Sequence, residues 1–452
     1  MGKLTLKQAA AFCGGSVDAE YEAVPFQGAG NDTRTIGEGE LFVALEGARD
    51  GHDFIPAAME KGAAAALCSR KTGEYPAIYV DDPRFALGQI ACAERLRLGM
   101  QVVAVTGSVG KSTTKEMIAQ VLEAKYRTAK TPVNHNNDIG VPMAILSMPE
   151  DTEAAVLEMG MNHFGEISYL SNIGRPDMAV IVNIGTCHIE YLGSVDGIRK
   201  AKLESLDGLN PDGTLFLNGD DPMLRELPYK PQQKVIYFGT GENCQVRALD
   251  VETGAGYTRF TVKNSGTSFP VELPTEGIHF VPDAMAAVAV GLTMGISPEE
   301  IQEKLRNFRN MDGRQQIIHT DKYTIIKDCY NAGPESMRAA LEVLSAQKGR
   351  RIAVLGDMLE LGDRAEAEHY RVGRIAAEKA DMVFSLGVNG ERLLIGTITG
   401  GMPQNRTQQF DDPEELVAAL RRAAKPGDVL LFKGSHGMHL EKVLAGFLAE
   451  TT

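Results

Sequence analysis

Short apolar runs alternate with segments of helical periodicity along most of the chain, and one place shows the pattern in full. Val102, Val103 and Val105 make a run suited to a buried parallel strand, Met117, Ile118, Val121 and Leu122 recur at helical spacing, and Gly107 and Gly110 flank the turn between them. Further strand-like runs follow at Ala154–Leu157, Ala179–Val182, Leu215–Leu217 and Val235–Phe238. This alternation of strand and helix from 101 to about 312 predicts a doubly wound, mostly parallel sheet. Residues 244–273 instead alternate apolar and polar, as in QVRALDVE and YTRFTVKN, and predict a small antiparallel section that interrupts the pattern.

On either side of this stretch the pattern changes. Residues 1 to about 82 hold a helix at Leu6–Cys13 and short strands separated by glycines; Asp82-Pro83 marks a boundary and Arg84–Leu98 a connecting helix. From about Arg314 the alternation resumes, with strands at Thr324–Ile326, Ile352–Leu355, Met382–Leu386 and Val429–Phe432. We therefore expect an α/β protein of three domains: a small mixed α/β domain at 1–82, a central P-loop domain with the doubly wound sheet at 83–313, and a Rossmann-like domain at 314–452. No G-x-G-x-x-G follows a strand of the third, so dinucleotide binding is not supported.

The turn inside the opening pattern carries chemistry. Thr106, Gly107, Ser108, Val109, Gly110, Lys111, Ser112 and Thr113 lie at a helix N-terminus, where unpaired backbone N–H groups favour anionic oxygens, Lys111 adds a charge and Ser112 can ligate Mg²⁺. The spacing is T-G-x-x-G-K-[ST], with Val105 where the standard P-loop has glycine. Ligands of such sheets collect at the carboxyl ends of strands, which singles out Glu158, Asn183, His188 and Asn218-Gly219-Asp220-Asp221. Glu158 suits a metal opposite Ser112, or a cap. His188 can bind a divalent ion, whereas Lys202, on a helix from about Val195, cannot unless its amine is modified into an acid. The loop Thr131–Pro142, with short polar residues at 134, 136, 137 and 138, suits a turn or a surface for a polar ligand. In the third domain, Arg314, Asp328, Asp357 and Lys433 sit in phrases at strand ends that should face the central domain; Arg314 and Lys433 suit phosphates, Asp328 a ribose or a basic partner. Asp32-Thr33-Arg34 reads as a turn with an exposed ion pair.

Composition narrows the setting. A net charge of −14 argues against a general nucleic-acid binder, and six cysteines without a C-x-x-C pair fit neither a disulfide framework nor a zinc ribbon. No run approaches a membrane span, and the start of the chain lacks a stop-transfer or myristoylation pattern. A monomer in the reducing cytoplasm is the expectation.

Together TGSVGKST, NHNNDIGVP, LEMGMNHFGEI, NIGTCHIEYLGS, AKLE and GDMLELGD resemble the Mur ligases of bacterial cell-wall synthesis over essentially the full length. DCYNAGPESMRAAL and DTRTIGEGELFVALEGARDGHDF resemble the member that uses UDP-N-acetylmuramoyl-tripeptide and D-alanyl-D-alanine. The resemblance implies an ATP-dependent amide ligase working through an acyl phosphate, with a first domain for the UDP-sugar, a central ATPase, and a third domain closing over the nucleotide. It implies that Lys111 and the loop amides hold ATP, that Ser112 and Glu158 hold one Mg²⁺ and His188 with carbamylated Lys202 a second, and that Arg314 and Asp328 contact ATP. Asp32, Thr33 and Arg34, with Asn134, Asn136, Asn137 and Asp138, would contact the UDP-sugar substrate. A sister ligase or a folylpolyglutamate synthetase adding a single amino acid is the alternative. Phe280 and Asp283 stand where the family commonly has asparagines near the adenine, Cys329 replaces a serine, Gly333 an asparagine and His436 an arginine.

Overall fold

The computed structural model describes residues 4–71 and 73–449; residues 1–3, 72 and 450–452, expected to belong to the first and third domains, lie outside the described residues. Three sheets follow one another along the chain, each with its own helices.

The first sheet has five short strands in the spatial order Ser16–Val17, Ala77–Tyr79, Ala65–Cys68, Leu41–Val43, Ala29–Gly30. The helix Leu6–Cys13 packs beside it, its N-terminus closed by a capping box of Thr5 and Gln8 and its end by Gly14 in the left-handed conformation. The connecting helix spans Pro83–Leu98. Asp82 accepts N–H bonds from Arg84 and Phe85 at its start, Pro83 occupies the first turn, where no N–H is needed, and Gly99 ends it at φ 65°. This helix buries Leu87, Ile90 and Ala91 in one continuous apolar core shared with the first domain's Leu6 and Val43 and the central domain's Val102 and Leu157. The first two domains are thus joined by packing as well as by chain.

The central sheet has nine strands in the order Thr267–Leu273, Tyr257–Asn264, Val246–Gly254, Lys234–Gly239, Thr214–Asn218, Met178–Ile181, Gln101–Thr106, Ala154–Glu158, Thr128–Lys130. Gln101–Thr106 lies parallel between Ala154–Glu158 and Met178–Ile181, so the strand order reverses beside the phosphate loop, where such sheets open a crevice. The antiparallel section 246–273 does not break the sheet but extends its far edge, Val246–Gly254 pairing parallel to Lys234–Gly239 before the meander begins. The expected loop Thr131–Pro142 is shorter than predicted, because a helix starts at Gly140 and runs to Ser147. Pro142 sits in its first turn, where the missing N–H does no harm.

The third sheet has six strands in the order Gln316–His319, Thr324–Asp328, Val429–Lys433, Arg351–Gly356, Met382–Leu386, Thr407–Phe410, parallel except for the first. Gln316–His319 and Thr407–Phe410, like Thr128–Lys130, are short edge strands without an apolar run to announce them. Among the described residues no helix is long and apolar enough to cross a membrane.

Candidate functional site

A cavity of about 980 Å³ opens at the carboxyl end of Gln101–Thr106 and is lined from both sides by the central and third domains. Its floor is the phosphate loop. Gly110, at φ 84°, turns the chain into the helix Lys111–Leu122, whose N-terminal amides face the cavity. The loop is held from outside: Asn183 Oδ1 accepts the N–H groups of Ser108 (3.0 Å) and Val109 (2.9 Å), and Gly185 N–H donates to Ser108 Oγ at 2.8 Å. Lys111 Nζ lies over the loop, 2.9 Å from the Gly107 carbonyl. Of the expected loop residues, Ser108 to Thr113 line the cavity and Thr106 and Gly107 lie behind it.

Glu158 ends its strand pointing into this cavity and is only 3 % exposed. It caps nothing. Asn136 Nδ2 donates to Oε1 at 3.0 Å, and Lys115 Nζ stands 3.7 Å from Oε2. Burial pushes the carboxyl up, but Lys111, Lys115, Asn136 and Ser112 outweigh it and hold the group below the usual range, so it is an anion at neutral pH. Lys115 is a residue that sequence reasoning missed. Fully buried, it donates to the Thr131 carbonyl at 2.8 Å, and Thr131 Oγ1 in turn accepts the Glu158 N–H at 3.0 Å. Its position in the helix register, four residues after Lys111, was the available signal.

The polar loop divides its labour. Asn136, Asn137 and Asp138 line the cavity; Asn134 does not and adopts φ 67°. Asn137 caps the helix at Gly140 (2.8 Å), and Asp138 is paired with Arg84 at 2.6 Å.

On the far side, Arg314 stacks over the Tyr330 ring at 3.9 Å, and Asp328 receives Lys433 Nζ (2.7 Å) and the Gln315 N–H (3.2 Å). Lys433 also donates to the Asn331 carbonyl at 2.9 Å, so it serves Asp328 and the loop that follows Asp328 rather than standing free for phosphate. Asp357 does not face the cavity: it accepts the Asn389 N–H inside the third domain at 3.1 Å. Asp220 and Asp221 likewise organise loops, accepting from Gly241 and Ile184 (both 2.7 Å). His279, Phe280 and Asp283 form one wall. Asp283 accepts the Thr114 hydroxyl at 2.7 Å and lies against Gly110, where a Cβ would come within 2.6 Å of Oδ1. Burial pushes its carboxyl up to about 7, against the lowering effects of Thr114 and Arg314.

His188 lines the cavity, with Nδ1 2.6 Å from Glu360 of the third domain, a short contact that lies off the hydrogen-bond direction. Lys202 is buried behind it on the helix Val195–Leu203, and among the described residues no carboxylate lies within ion-pair distance of its amine. Burial, with Lys111 adding to it, holds that amine well below its usual range, which eases the loss of its proton. Asp32-Thr33-Arg34 is outside the cavity. It is the exposed turn expected from chemistry, with the Arg34 guanidinium on Asp32 at 2.5 and 3.0 Å.

Against known families, residues 25–95 match the Mur ligase family catalytic domain, 105–291 the Mur ligase middle domain, and 313–436 the Mur ligase glutamate ligase domain. The chain is 41% identical to the UDP-N-acetylmuramoyl-tripeptide--D-alanyl-D-alanine ligase of Bacillus subtilis, over 98% of each chain. Its fold superposes on a crystal structure of MurF from Acinetobacter baumannii with a TM-score of 0.90 at 33% identity, covering 99% of each chain. It also superposes on MurF ligase from Thermotoga maritima in complex with ADP, with a TM-score of 0.83 at 30% identity, over 94% of this chain and 97% of that one.

Proposed function

The chain belongs to the Mur ligase family, and on that footing we propose how its residues divide one reaction between them. The protein is an ATP-dependent ligase that joins D-alanyl-D-alanine to UDP-N-acetylmuramoyl-tripeptide, giving the pentapeptide precursor of peptidoglycan. What carries the assignment of residues is a single convergence: Lys111 and its loop, the buried Glu158, and Arg314, Asp328 and Lys433 from another domain line one cavity.

In this reading the loop amides and Lys111 hold the ATP phosphates, and Arg314 and Asp328 meet the nucleotide from the third domain. Ser112 and Glu158 hold one Mg²⁺, and His188 with carbamylated Lys202 a second. The donors fit. Glu158 is a buried anion lining the cavity, and the Lys202 amine, whose burial eases loss of its proton, can as the free amine add CO₂, forming an N–C bond and losing a proton, which turns a non-ligand into an anionic oxygen donor. Such ions, when bound, cancel repulsion between carboxylate and triphosphate.

The tripeptide's terminal carboxylate attacks the γ-phosphorus, the bond to ADP breaks, and an acyl phosphate results. The amine of D-alanyl-D-alanine then attacks the acyl carbon, inorganic phosphate leaves, and the nitrogen loses a proton. Lys111 stays beside the charge throughout, and the third domain, already forming one wall, keeps water from the acyl phosphate. Asp32-Thr33-Arg34 and the loop Asn134–Asp138 take the UDP-sugar, with domain boundaries at 83 and 314. We place the enzyme in the cytoplasm as a monomer. Purified protein should release phosphate only when ATP, the nucleotide tripeptide and D-alanyl-D-alanine are all present; release without the dipeptide requirement would sink this reading.

A further inference from the structure

The segment Asn183–His188 is gripped from two directions. On one side it is stitched to the phosphate loop: Asn183 holds the Ser108 and Val109 amides and donates to the Val109 carbonyl at 2.8 Å, while Gly185 N–H reaches Ser108 Oγ. On the other side two carboxylates of the third domain meet it. Glu335, in the first turn of the helix Pro334–Ala346, accepts the Thr186 N–H (3.1 Å) and hydroxyl (3.1 and 3.2 Å). Glu360, held at φ 62° in a different loop, lies against His188 Nδ1. Between these points there is no room for slack. A Cβ on Gly185 would meet Glu335 Oε1 at 3.1 Å and Ser108 Cβ at 3.2 Å, and one on Gly333 would meet Cys187 Sγ at 3.3 Å.

The chemistry of the pair is informative. An acid beside a triphosphate site is repelled by the nucleotide, so neither Glu335 nor Glu360 is suited to hold phosphate; each instead faces a donor on one short segment of the central domain. With the Glu360 carboxylate 2.6 Å from Nδ1, the His188 ring has Nε2 left to ligate, and a carboxylate behind a ligating histidine is what sets the orientation of such a ring. We infer that Glu335 and Glu360 are positioning residues: the third domain uses them to order Asn183–His188, so that His188 and the phosphate loop take their working geometry only while that domain is docked. The inference rests on reading His188 as a ligand of the second ion.

The test is Mn²⁺ titrated into the full-length protein holding ADP, with free ion read by electron paramagnetic resonance. Both acids are exposed, so Glu335→Ala/Glu360→Ala should fold and melt as the parent does. The double variant should bind its first ion normally and its second about tenfold or more weakly. Glu335→Gln/Glu360→Gln, which keeps an acceptor for Thr186, should fall between. His188→Ala should lose the second ion. If the double alanine variant keeps both affinities while His188→Ala loses one ion, the positioning role is overturned. A parent that binds a single ion, or a His188→Ala variant that binds two, overturns the metal reading and the positioning role with it.

Discussion

The phosphate loop and the Asp32-Thr33-Arg34 turn are both short polar phrases, yet the fold treats them in opposite ways. The loop is placed by residues far along the chain: Asn183 fixes its amides, Asp283 packs on Gly110, and Glu158 arrives on a neighbouring strand. The turn is placed by itself, with Arg34 N–H and guanidinium both on Asp32. Long-range contacts hold a helix N-terminus, Lys111 and a buried anion in one geometry before any ligand binds, whereas a self-paired exposed turn offers a ligand only groups that water and each other already satisfy. Rate should therefore depend on the first region and affinity on the second.

Three substitutions would break or sharpen that contrast. The largest effect is expected at Lys202, behind the loop: Lys202→Ala should lower turnover by roughly 10²- to 10³-fold, as removing one preorganised charged group does, with the circular dichroism of the folded protein retained. An active variant would remove Lys202 from the reacting set.

Asp283→Asn comes next and tests whether burial at the loop is as strong as it looks. The native carboxyl holds its proton up to about pH 7, while the unfolded chain releases it near 3.8. Between those values the native state binds more protons, so this group's contribution to stability falls as pH rises from about 4 to about 7 and is level above. The asparagine variant should lack that slope and be more stable than the parent at pH 8, by on the order of 4 kcal/mol at most. Parallel stability curves for parent and variant would mean that Asp283 is ionised in the fold. The smallest effect belongs to the turn. Asp32→Ala should leave the melting temperature and kcat unchanged and raise KM for the nucleotide tripeptide several-fold; a fall in kcat instead would put the turn among the rate-determining groups.

Much of this architecture was legible before any coordinates. The strand, loop and helix around Gly107–Ser112 and the helix Leu6–Cys13 stand where periodicity put them, since each is specified by local pattern and caps. The helix Gly140–Ser147 hid behind the asparagines before it and the proline in its first turn. Thr128–Lys130, Gln316–His319 and Thr407–Phe410 are edge strands too short to carry a periodic signal. Lys115 looked like any solvated lysine in KSTTKE; its burial depends on Thr131 and Glu158, brought in by neighbouring strands.

By itself the sequence determined the order of elements, the phosphate loop and the family phrases, because backbone caps, glycine turns and hydrophobic period act over a few residues. Only the tertiary structure decided which polar side chains face the cavity. It committed Lys433 to Asp328 and Asp138 to Arg84, left Asp357 inside its own domain, and set Glu335 and Glu360 against the segment carrying His188. Those pairings join residues that are distant in the chain, and their energies turn on burial and partner distance, which exist only once the sheets have packed.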